Sequence, residues 1–307
     1  MSQWLKPKAL RPGDCIGIAA PASCFDEDSF QAAVQSVEKA GFRISMRDDI
    51  RARHRYLAGP DARRAEELNA LLADPEICAI FFARGGYGTQ RILPLLDVSP
   101  TKTHPKIVVG SSDLTVLHAY LHHHCRWVTF YGPMLSTHLG PKAPPVNWEW
   151  LLKICGERKP IGTLPAPGLI VIKPGRADGP LLGGCVALIQ AGIKTIYEWP
   201  TAGGILFLED RGIKLYALDR MLTHLKHAGL FRGVKGIALG SMVLSADEPR
   251  PDDLVPMLTE FFHDFPGPVL CGLPAGHCDP FLTLPLGVRV TLTTDPPCVT
   301  INESAVA

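Results

Sequence analysis

At positions 106–115 the sequence is Lys-Ile-Val-Val-Gly-Ser-Ser-Asp-Leu-Thr, an apolar run that reaches a glycine and two serines and then enters a helical pattern. The same alternation of short apolar runs and helical patterns extends in both directions, from Cys15 to Tyr131. Continuous apolar strands separated by helices are typical of a parallel sheet with both faces covered. Residues 1–140 of the 307-residue chain are therefore predicted to form a parallel α/β domain.

The pattern loosens after Tyr131. Prolines punctuate the segment 136–178, in which one helix is predicted near Trp148 to Cys155. We predict that residues 141–178 form a linker region. Residues 179–307 combine helical patterns, among them one at 215–227, with several short strands near the end of the chain. This second part is predicted to be a mixed α+β domain.

The charge balance excludes some classes of protein. Lys and Arg number 31 against 30 Asp and Glu, which gives a formal net charge of +1. A strongly basic nucleic-acid-binding protein and a protein with a long acidic tail are thereby excluded. The sequence has no run of about 18 apolar residues, the length that a membrane helix needs. We expect neither a nucleic-acid partner nor a membrane partner.

The nine cysteines include no C-x-x-C pair, and several of them lie inside apolar runs. Residues 1–8 contain no apolar stretch of the kind that a signal peptide needs. Reduced thiols in the cytoplasm are consistent with both features. We therefore expect a cytoplasmic protein.

The turn at Gly110 to Ser112 is the first candidate for chemistry. A tight turn between a strand and a helix can hold a serine Oγ above the edge of a sheet, beside the free N–H groups of the helix. The sequence is not G-x-S-x-G, so the usual form of that motif is absent. The alternative is that Ser112 or Asp113 simply caps the helix.

Residues 83–88, Ala-Arg-Gly-Gly-Tyr-Gly, directly follow a predicted strand. Three glycines in four positions allow positive φ angles and a close approach of the backbone to a ligand. Free N–H groups at such a loop can form half of an oxyanion hole. A dinucleotide-binding loop needs a third glycine where this chain has Arg91. A plain turn is the alternative.

Two acidic residues, Glu209 and Asp210, end an apolar strand, and His277 follows Gly276 in a loop. A carboxylate at the end of a strand can orient a histidine, and a loop histidine that faces a cleft can act as a general base. A helix cap or an ion pair is the alternative for the acids, and a surface position is the alternative for the histidine. Cys278 is a weak candidate for a thiol nucleophile because no partner for it is evident.

A histidine cluster occupies one helical pattern. His118 and His122 are four residues apart, share a helix face and can in principle hold zinc. The zinc-protease pattern has a glutamate after the first histidine, where this chain has Ala119. We interpret the cluster as a solvated helix end and predict no metal site.

Taken together, these segments resemble one family, the cytosolic serine LD-carboxypeptidases, also called muramoyltetrapeptide carboxypeptidases. The resemblance covers nearly the whole chain, and the combination of R-G-G-Y-G, G-x-S-D and a late G-H with L-P-x-G is specific. The matching stretches are Gly13-Asp14, Ala20 to Ser23, Arg55 to Gly59, Ala83 to Gly88, Gly110 to Thr115, Tyr131 to Met134, Leu182 to Gly184, Leu208 to Asp210, Tyr216 to Arg220, Gly276-His277 and Leu284 to Gly287.

The resemblance implies a Ser–His–Glu triad, in which Ser112 is the nucleophile, His277 the base and Glu209 the acid. It further implies an oxyanion hole formed by the backbone N–H groups of Gly86 and Asp113. The implied fold is a flavodoxin-like N-terminal domain that carries Ser112, with Glu209 and His277 on the C-terminal domain. A homodimer is also implied.

The implied reaction is the release of the terminal D-alanine from a murein tetrapeptide, at the L-centre of meso-diaminopimelate, without metal or other cofactor. Murein recycling is the implied role. Such a substrate carries several carboxylates, so a cation is expected in the cleft. Arg84 is the first candidate and Arg220 the second, and Tyr87 belongs to the same substrate-binding set.

The chain departs from the family pattern at Ser111, which places two hydroxyls side by side, at Cys185 and at Phe281. Two other functions are kept open. One is a microcin-immunity peptidase that cleaves a peptidyl or aminoacyl nucleotide amide. The other is a non-catalytic flavodoxin-like module that binds a nucleotide at Gly85 to Gly88. Sequence alone does not choose the cation or the peptide length.

Overall fold

The structure is a computed structural model that describes residues 4–140 and 142–307. Fourteen strands lie in this part of the chain: β1 (Cys15–Ala19), β2 (Arg43–Ser45), β3 (Ile77–Phe82), β4 (Ile107–Gly110), β5 (Thr129–Tyr131), β6 (Gly162–Thr163), β7 (Ile170–Lys173), β8 (Arg176–Cys185), β9 (Ile205–Ile213), β10 (Gly236–Leu244), β11 (Val269–Cys271), β12 (Leu284–Leu286), β13 (Arg289–Thr294) and β14 (Pro297–Ile301).

The same residues form nine α-helices: α1 (Glu27–Lys39), α2 (Asp61–Ala73), α3 (Thr89–Ile92), α4 (Thr115–Cys125), α5 (Leu135–His138), α6 (Pro145–Gly156), α7 (Val186–Gly192), α8 (Leu215–His227) and α9 (Leu254–Phe261). Short 3₁₀ turns occupy Leu93–Leu95, Ser112–Leu114 and Pro251–Asp253. No helix within the described ranges is both long and apolar enough to cross a membrane.

The first sheet has the strand order β12-β5-β4-β3-β1-β2. Strands β1 to β5 are parallel to one another. Their order, 2-1-3-4-5, is that of flavodoxin-like folds, so the predicted parallel α/β domain is confirmed. The sequence analysis missed β12, which comes from the far end of the chain and pairs antiparallel with β5.

The second sheet has the order β6-β14-β13-β8-β9-β10-β11-β7. Its centre, β8 to β11, is parallel, whereas β13, β14, β6 and β7 join it antiparallel. The predicted mixed architecture is therefore confirmed. The segment 141–178, which we predict as a linker, contains α6 as well as β6 and β7 at the two edges of this sheet.

Strand β8 is the largest element that the sequence analysis missed. Its ten residues include Asp178, Gly179, Pro180, Gly183 and Gly184, a composition typical of a loop. It is a strand because β13 lies on one side and β9 on the other, and both supply hydrogen-bond partners. Helix α8, in contrast, has the predicted bounds, since its amphipathic pattern is strong.

The interpretation of the histidine cluster as a solvated helix end is wrong for two of its members. His118 and His122 are 0% and 1% exposed. His118 Nε2 lies 2.8 Å from the carbonyl oxygen of Gly110, and the His122 ring packs between Trp4 and Trp199. Burial lowers the pKa of His118 to about 4 and that of His122 to about 3. The error arose because α4 is covered on this face by residues distant in sequence.

Candidate active site

Ser112 lies directly beyond β4, at the carboxyl end of the parallel sheet, where open α/β sheets bind their ligands. It adopts a left-handed backbone with φ of 57°. Ser111 is extended and only 2% exposed, whereas Ser112 is half-buried. Of the two hydroxyls, the one on Ser112 is therefore the more accessible. A side-chain cap is absent at the turn Ser112–Leu114 and at the start of α4, so the alternative of a simple helix cap is wrong.

The side chain of Asp113 reaches a neighbouring loop. Its Oδ2 accepts a hydrogen bond of 2.8 Å from the N–H of Thr89, the first residue of α3. The carboxyl group is fully buried, and this burial raises the pKa of Asp113. The turn that carries Ser112 is thereby tied to the end of the glycine loop 83–88.

The glycine loop packs against the Ser112 turn. A Cβ on Gly85 would lie 3.3 Å from the Ser112 Cβ and 3.4 Å from the Asp113 nitrogen. Gly86 has φ of 99°, and a Cβ there would lie 2.4 Å from Ser23 Oγ, so a larger residue does not fit. The N–H groups of Gly86 and Asp113 have no acceptor in the described part of the chain. Both are therefore available to an oxyanion.

Glu209 and His277 are in direct contact. Oε2 of Glu209 lies 2.7 Å from His277 Nδ1 and also accepts the backbone N–H of His277 at 3.2 Å. Glu209 is fully buried, and the His277 side chain is 13% exposed. A Cβ on Gly276, whose φ is 105°, would lie 2.5 Å from Oε2 of Glu209. The glycine before His277 is thus required by this close approach.

The adjacent Asp210 has a different partner. Its Oδ2 accepts the N–H of Ala187 at 2.9 Å, in the first turn of α7. Burial raises the pKa of Asp210. The two acids therefore have different partners: Glu209 contacts a histidine, and Asp210 caps a helix.

Tyr131, at the end of β5, connects the two halves of the site. Its hydroxyl accepts the backbone N–H of Ser112 at 2.9 Å and donates a hydrogen bond to Glu209 Oε1. The sequence analysis quoted Tyr131 within a motif but gave it no role. Among the residues described, neither Ser112 Oγ nor His277 Nε2 has a hydrogen-bond partner. Both atoms are free to bind each other or a substrate.

Comparison with known proteins identifies the family of this chain. The patterns for the LD-carboxypeptidase N-terminal domain and the LD-carboxypeptidase C-terminal domain match residues 16–132 and 178–292. A probable murein peptide carboxypeptidase of Bacillus subtilis is 34% identical over 292 residues, which cover 94% of this chain and 92% of that protein. The chain belongs to the LD-carboxypeptidase family. It is accordingly a serine carboxypeptidase, a hydrolase.

Solved structures with the same fold include a muramoyltetrapeptide carboxypeptidase and the microcin C7 self immunity protein MccF. The muramoyltetrapeptide carboxypeptidase from Oxalobacter formigenes superposes with a TM-score of 0.83 at 26% identity, over 93% of this chain and 97% of its own. The structure of MccF in complex with glutamyl sulfamoyl guanosine has a TM-score of 0.90 at 26% identity, over 99% of this chain and 100% of its own.

The expected substrate-binding residues of this LD-carboxypeptidase lie in two places. Arg84 is exposed, and its Nη1 donates to the carbonyl oxygen of Cys24 at 3.0 Å. The exposed ring of Tyr87 lies 5.9 Å from that of Tyr56. Both side chains belong to the glycine loop. Arg220 is on α8, with its guanidinium 5.7 Å from the Tyr216 ring, and no ion pair or hydrogen bond joins it to the triad candidates within the described residues.

Two residues near the candidate site were not predicted from the sequence. Asn147, on α6, accepts the N–H of Phe281 at 2.7 Å and so holds the loop that follows His277. The His138 ring packs against Phe281 at 5.2 Å, and burial followed by the charge of His277 lowers the pKa of His138 to about 4. No motif connects these residues, because they come from distant parts of the chain.

The cysteines near the site are poor nucleophiles. Burial raises the pKa of Cys278 to about 11, so its thiol stays protonated at neutral pH. Burial also raises the pKa of Cys185 far above its ordinary value. The backbone N–H of Cys185 donates to Thr115 Oγ1 at 3.0 Å, which joins β8 to α4. In residues 4–140 and 142–307, no group of three or more His, Cys, Asp and Glu side chains is arranged to hold a metal.

Proposed function

We propose that this LD-carboxypeptidase releases the terminal D-alanine from murein tetrapeptide, with Ser112, His277 and Glu209 as its triad. The observation that carries the proposal is the buried Glu209 carboxylate 2.7 Å from His277 Nδ1, on the same hydrogen-bonded chain as the Ser112 turn. A histidine that is oriented by an acid and leaves Nε2 free is the arrangement that activates a serine.

In the first half-reaction, His277 Nε2 takes the proton of Ser112 while Oγ bonds to the carbonyl carbon of the scissile amide. The negative charge moves to the carbonyl oxygen, where the N–H groups of Gly86 and Asp113 stabilise it. Losing one such donor lowers kcat about 100- to 1,000-fold in comparable enzymes. The carbon–nitrogen bond then breaks, and His277 protonates the departing amino group of D-alanine.

The second half-reaction hydrolyses the ester on Ser112. His277 takes a proton from water, whose oxygen attacks the ester carbon, and the proton then returns to Ser112 Oγ. The products are the enzyme and a tripeptide with a new carboxylate. Every step uses side chains and backbone groups of this chain.

Arg84 and Tyr87 are proposed to bind the anionic part of the substrate, with Arg220 as a second cation. Arg84 supports this role best because it lies on the glycine loop and has no carboxylate partner within the described residues. The proposal further places the reaction in the cytoplasm, in murein recycling, with the enzyme as a homodimer. The nine free thiols are in keeping with a reducing compartment.

The test is release of free D-alanine from purified murein tetrapeptide, measured by mass spectrometry, for wild type, Ser112→Ala and Ser111→Ala. We expect release by wild type and Ser111→Ala and none by Ser112→Ala, and we expect EDTA to have no effect. Equal loss in both variants, or rescue of an EDTA-treated enzyme by zinc, would contradict the assignment of the nucleophile.

A second candidate substrate is an aminoacyl nucleotide amide. It is favoured by the similarity to MccF, which covers 99% of this chain with a TM-score of 0.90. Aminoacyl sulfamoyl adenosine is the matching probe. Turnover of that probe by wild type, without D-alanine release from tetrapeptide, would replace the murein substrate by this one and leave the triad proposal intact.

A further inference from the structure

We infer that Tyr131 is a positioning residue that holds the Ser112 turn and the Glu209 carboxylate in register through its hydroxyl group. The inference rests on the proposed triad. Tyr131 ends β5 of the first sheet, whereas Glu209 lies on β9 of the second. One phenol oxygen therefore joins the part of the site that carries the nucleophile to the part that carries the acid and base.

The direction of the two hydrogen bonds is fixed by chemistry. The Ser112 N–H can only donate, at 2.9 Å, so the Tyr131 oxygen accepts there. An ionised Glu209 carboxylate has no proton to donate, so the phenol donates its one proton to this hydrogen bond. Burial and the negative charge of Glu209 raise the pKa of Tyr131 far above its ordinary value. Tyr131 therefore stays a donor across the pH range of any assay.

The bond to Ser112 has a consequence for the turn. The Ser112 N–H is committed to Tyr131 and does not point at the oxyanion, which leaves the N–H groups of Gly86 and Asp113 for that purpose. Ser112 itself has φ of 57°, a conformation that a non-glycine residue holds only when its surroundings impose it. The Tyr131 hydroxyl is one of the groups that impose it.

The bond to Glu209 completes the partners of a carboxylate without solvent contact. Oε2 is bound by the ring and backbone N–H groups of His277, and Oε1 is bound by Tyr131. Without the phenol, Oε1 would be a buried charged oxygen with no donor, and the carboxylate would be free to rotate. The orientation of the His277 ring depends on this carboxylate.

The ring of Tyr131 is held independently of the hydroxyl. It packs against Phe207 at 5.3 Å and Phe281 at 6.2 Å, and a Cβ on Gly184 would lie 3.0 Å from its Cε2. Tyr131→Phe therefore removes the two hydrogen bonds and leaves the packing in place.

We expect Tyr131→Phe to lower kcat about 10- to 100-fold, since hydrogen bonds to charged groups are the strong ones in proteins. KM is expected to change less than about twofold, because the hydroxyl faces the triad and not the substrate. The acidic limb of kcat/KM should move to higher pH, because a carboxylate that has lost a donor attracts the imidazole proton more strongly.

Other ionisable groups near His277 remain in this variant. His138 and Asp210 interact electrostatically with it, and Asp279 and Arg211 lie close to His138. None of them bonds to the Tyr131 hydroxyl. A shift in the acidic limb of the kcat/KM profile of Tyr131→Phe is therefore attributed to the loss of the Tyr131 hydroxyl.

Tyr120→Phe is the matched control. Tyr120 is also buried, and its hydroxyl donates to the carbonyl oxygen of Leu96 at 3.3 Å and to none of the triad candidates. We expect this variant to lose no more stability than Tyr131→Phe and to keep the kcat and the pH profile of wild type. Melting temperatures of both variants separate folding from positioning.

Reaction of Ser112 with a fluorophosphonate gives a readout that needs no peptide substrate. The serine oxygen bonds to phosphorus, fluoride leaves, and the serine proton goes to His277, so the rate followed by intact mass measures activation of the nucleophile. Slower labelling of Tyr131→Phe, with Tyr120→Phe at the wild-type rate, would support the inference. Labelling of Tyr131→Phe at the wild-type rate, with an unmoved acidic limb, would overturn it. Wild type that labels but releases no D-alanine would overturn the proposed substrate alone.

Discussion

Gly184→Ala tests whether the close approach of the two sheets sets the geometry of the active site. Gly184 lies on β8 with φ of 148°, and an added Cβ would lie 2.6 Å from Thr115 Oγ1 and 3.0 Å from Tyr131 Cε2. Ordinary van der Waals contact begins near 3.4 Å, so the strand or its neighbours must shift by about 0.8 Å. Thr115 cannot turn away freely, since it is fully buried and bonded to Cys185.

The magnitude follows from two contributions. A residue with a Cβ at this φ costs about 1–3 kcal/mol in backbone strain, and the overpacked contact adds about 1–3 kcal/mol. We therefore expect Gly184→Ala to lower the free energy of unfolding by about 2–6 kcal/mol. Among molecules that remain folded, a displacement near 1 Å is expected to lower kcat about 10- to 100-fold.

Gly203→Ala separates these two contributions. Gly203 has φ of 83°, and a Cβ there would have nothing within 4 Å. This control variant should show the strain alone, with wild-type kcat. Urea unfolding and D-alanine release, both at a temperature where all three proteins are folded, give the two quantities. A folded Gly184→Ala with wild-type kcat, or an equal loss of kcat in Gly203→Ala, would refute the reasoning.

Two further predictions concern buried ionisable groups. Arg64→Met should lower the free energy of unfolding by about 3–5 kcal/mol, because Arg64 is fully buried and binds both Asp61 and backbone carbonyl groups. Arg91→Met loses an exposed ion pair with the same Asp61, so it should lower the free energy of unfolding in urea much less than Arg64→Met. Equal losses in the two variants would contradict this. The pKa of His122 is lowered from 6.5 to about 3. Below pH 6.5 the unfolded chain therefore binds more protons than the folded protein, and the free energy of unfolding decreases as the pH is lowered. His122→Phe should make the decrease in melting temperature between pH 6.5 and 4 smaller, whereas substitution of the exposed His123 by Phe should leave it unchanged. Thermal melts across this pH range test the prediction, and an unchanged pH dependence in His122→Phe would contradict it.

Local patterns were sufficient for much of the fold. The apolar runs at Cys15, Ile77 and Ile107 became β1, β3 and β4, because each is a continuous apolar segment flanked by helices. Helix α8 was predicted with its observed bounds. Strand β12 was missed because three residues carry little signal, and its partner β5 lies more than 150 residues away along the chain.

The candidate site, like the fold, has a part that the sequence predicted and a part that it did not. Local motifs left alternatives open at Ser112, Glu209 and His277, and the family resemblance selected these residues. The structure brings Glu209 and His277 into contact beside Gly276. The catalytic roles remain a prediction that the proposed assays test. The Tyr131 hydrogen bonds were beyond the reach of sequence, since they join residues 19 and 78 positions apart.

The sequence by itself determined the local elements, the glycines at sharp turns, and the residue types that can do acyl chemistry, because these depend on neighbours along the chain. Only the tertiary structure decided which polar groups are buried and which partners they have. His118 is a buried core residue, Asp113 accepts a hydrogen bond from the first residue of α3, and Tyr131 links the two sheets. Burial and hydrogen bonding across long chain separations depend on how the sheets pack, and no local pattern contains that information.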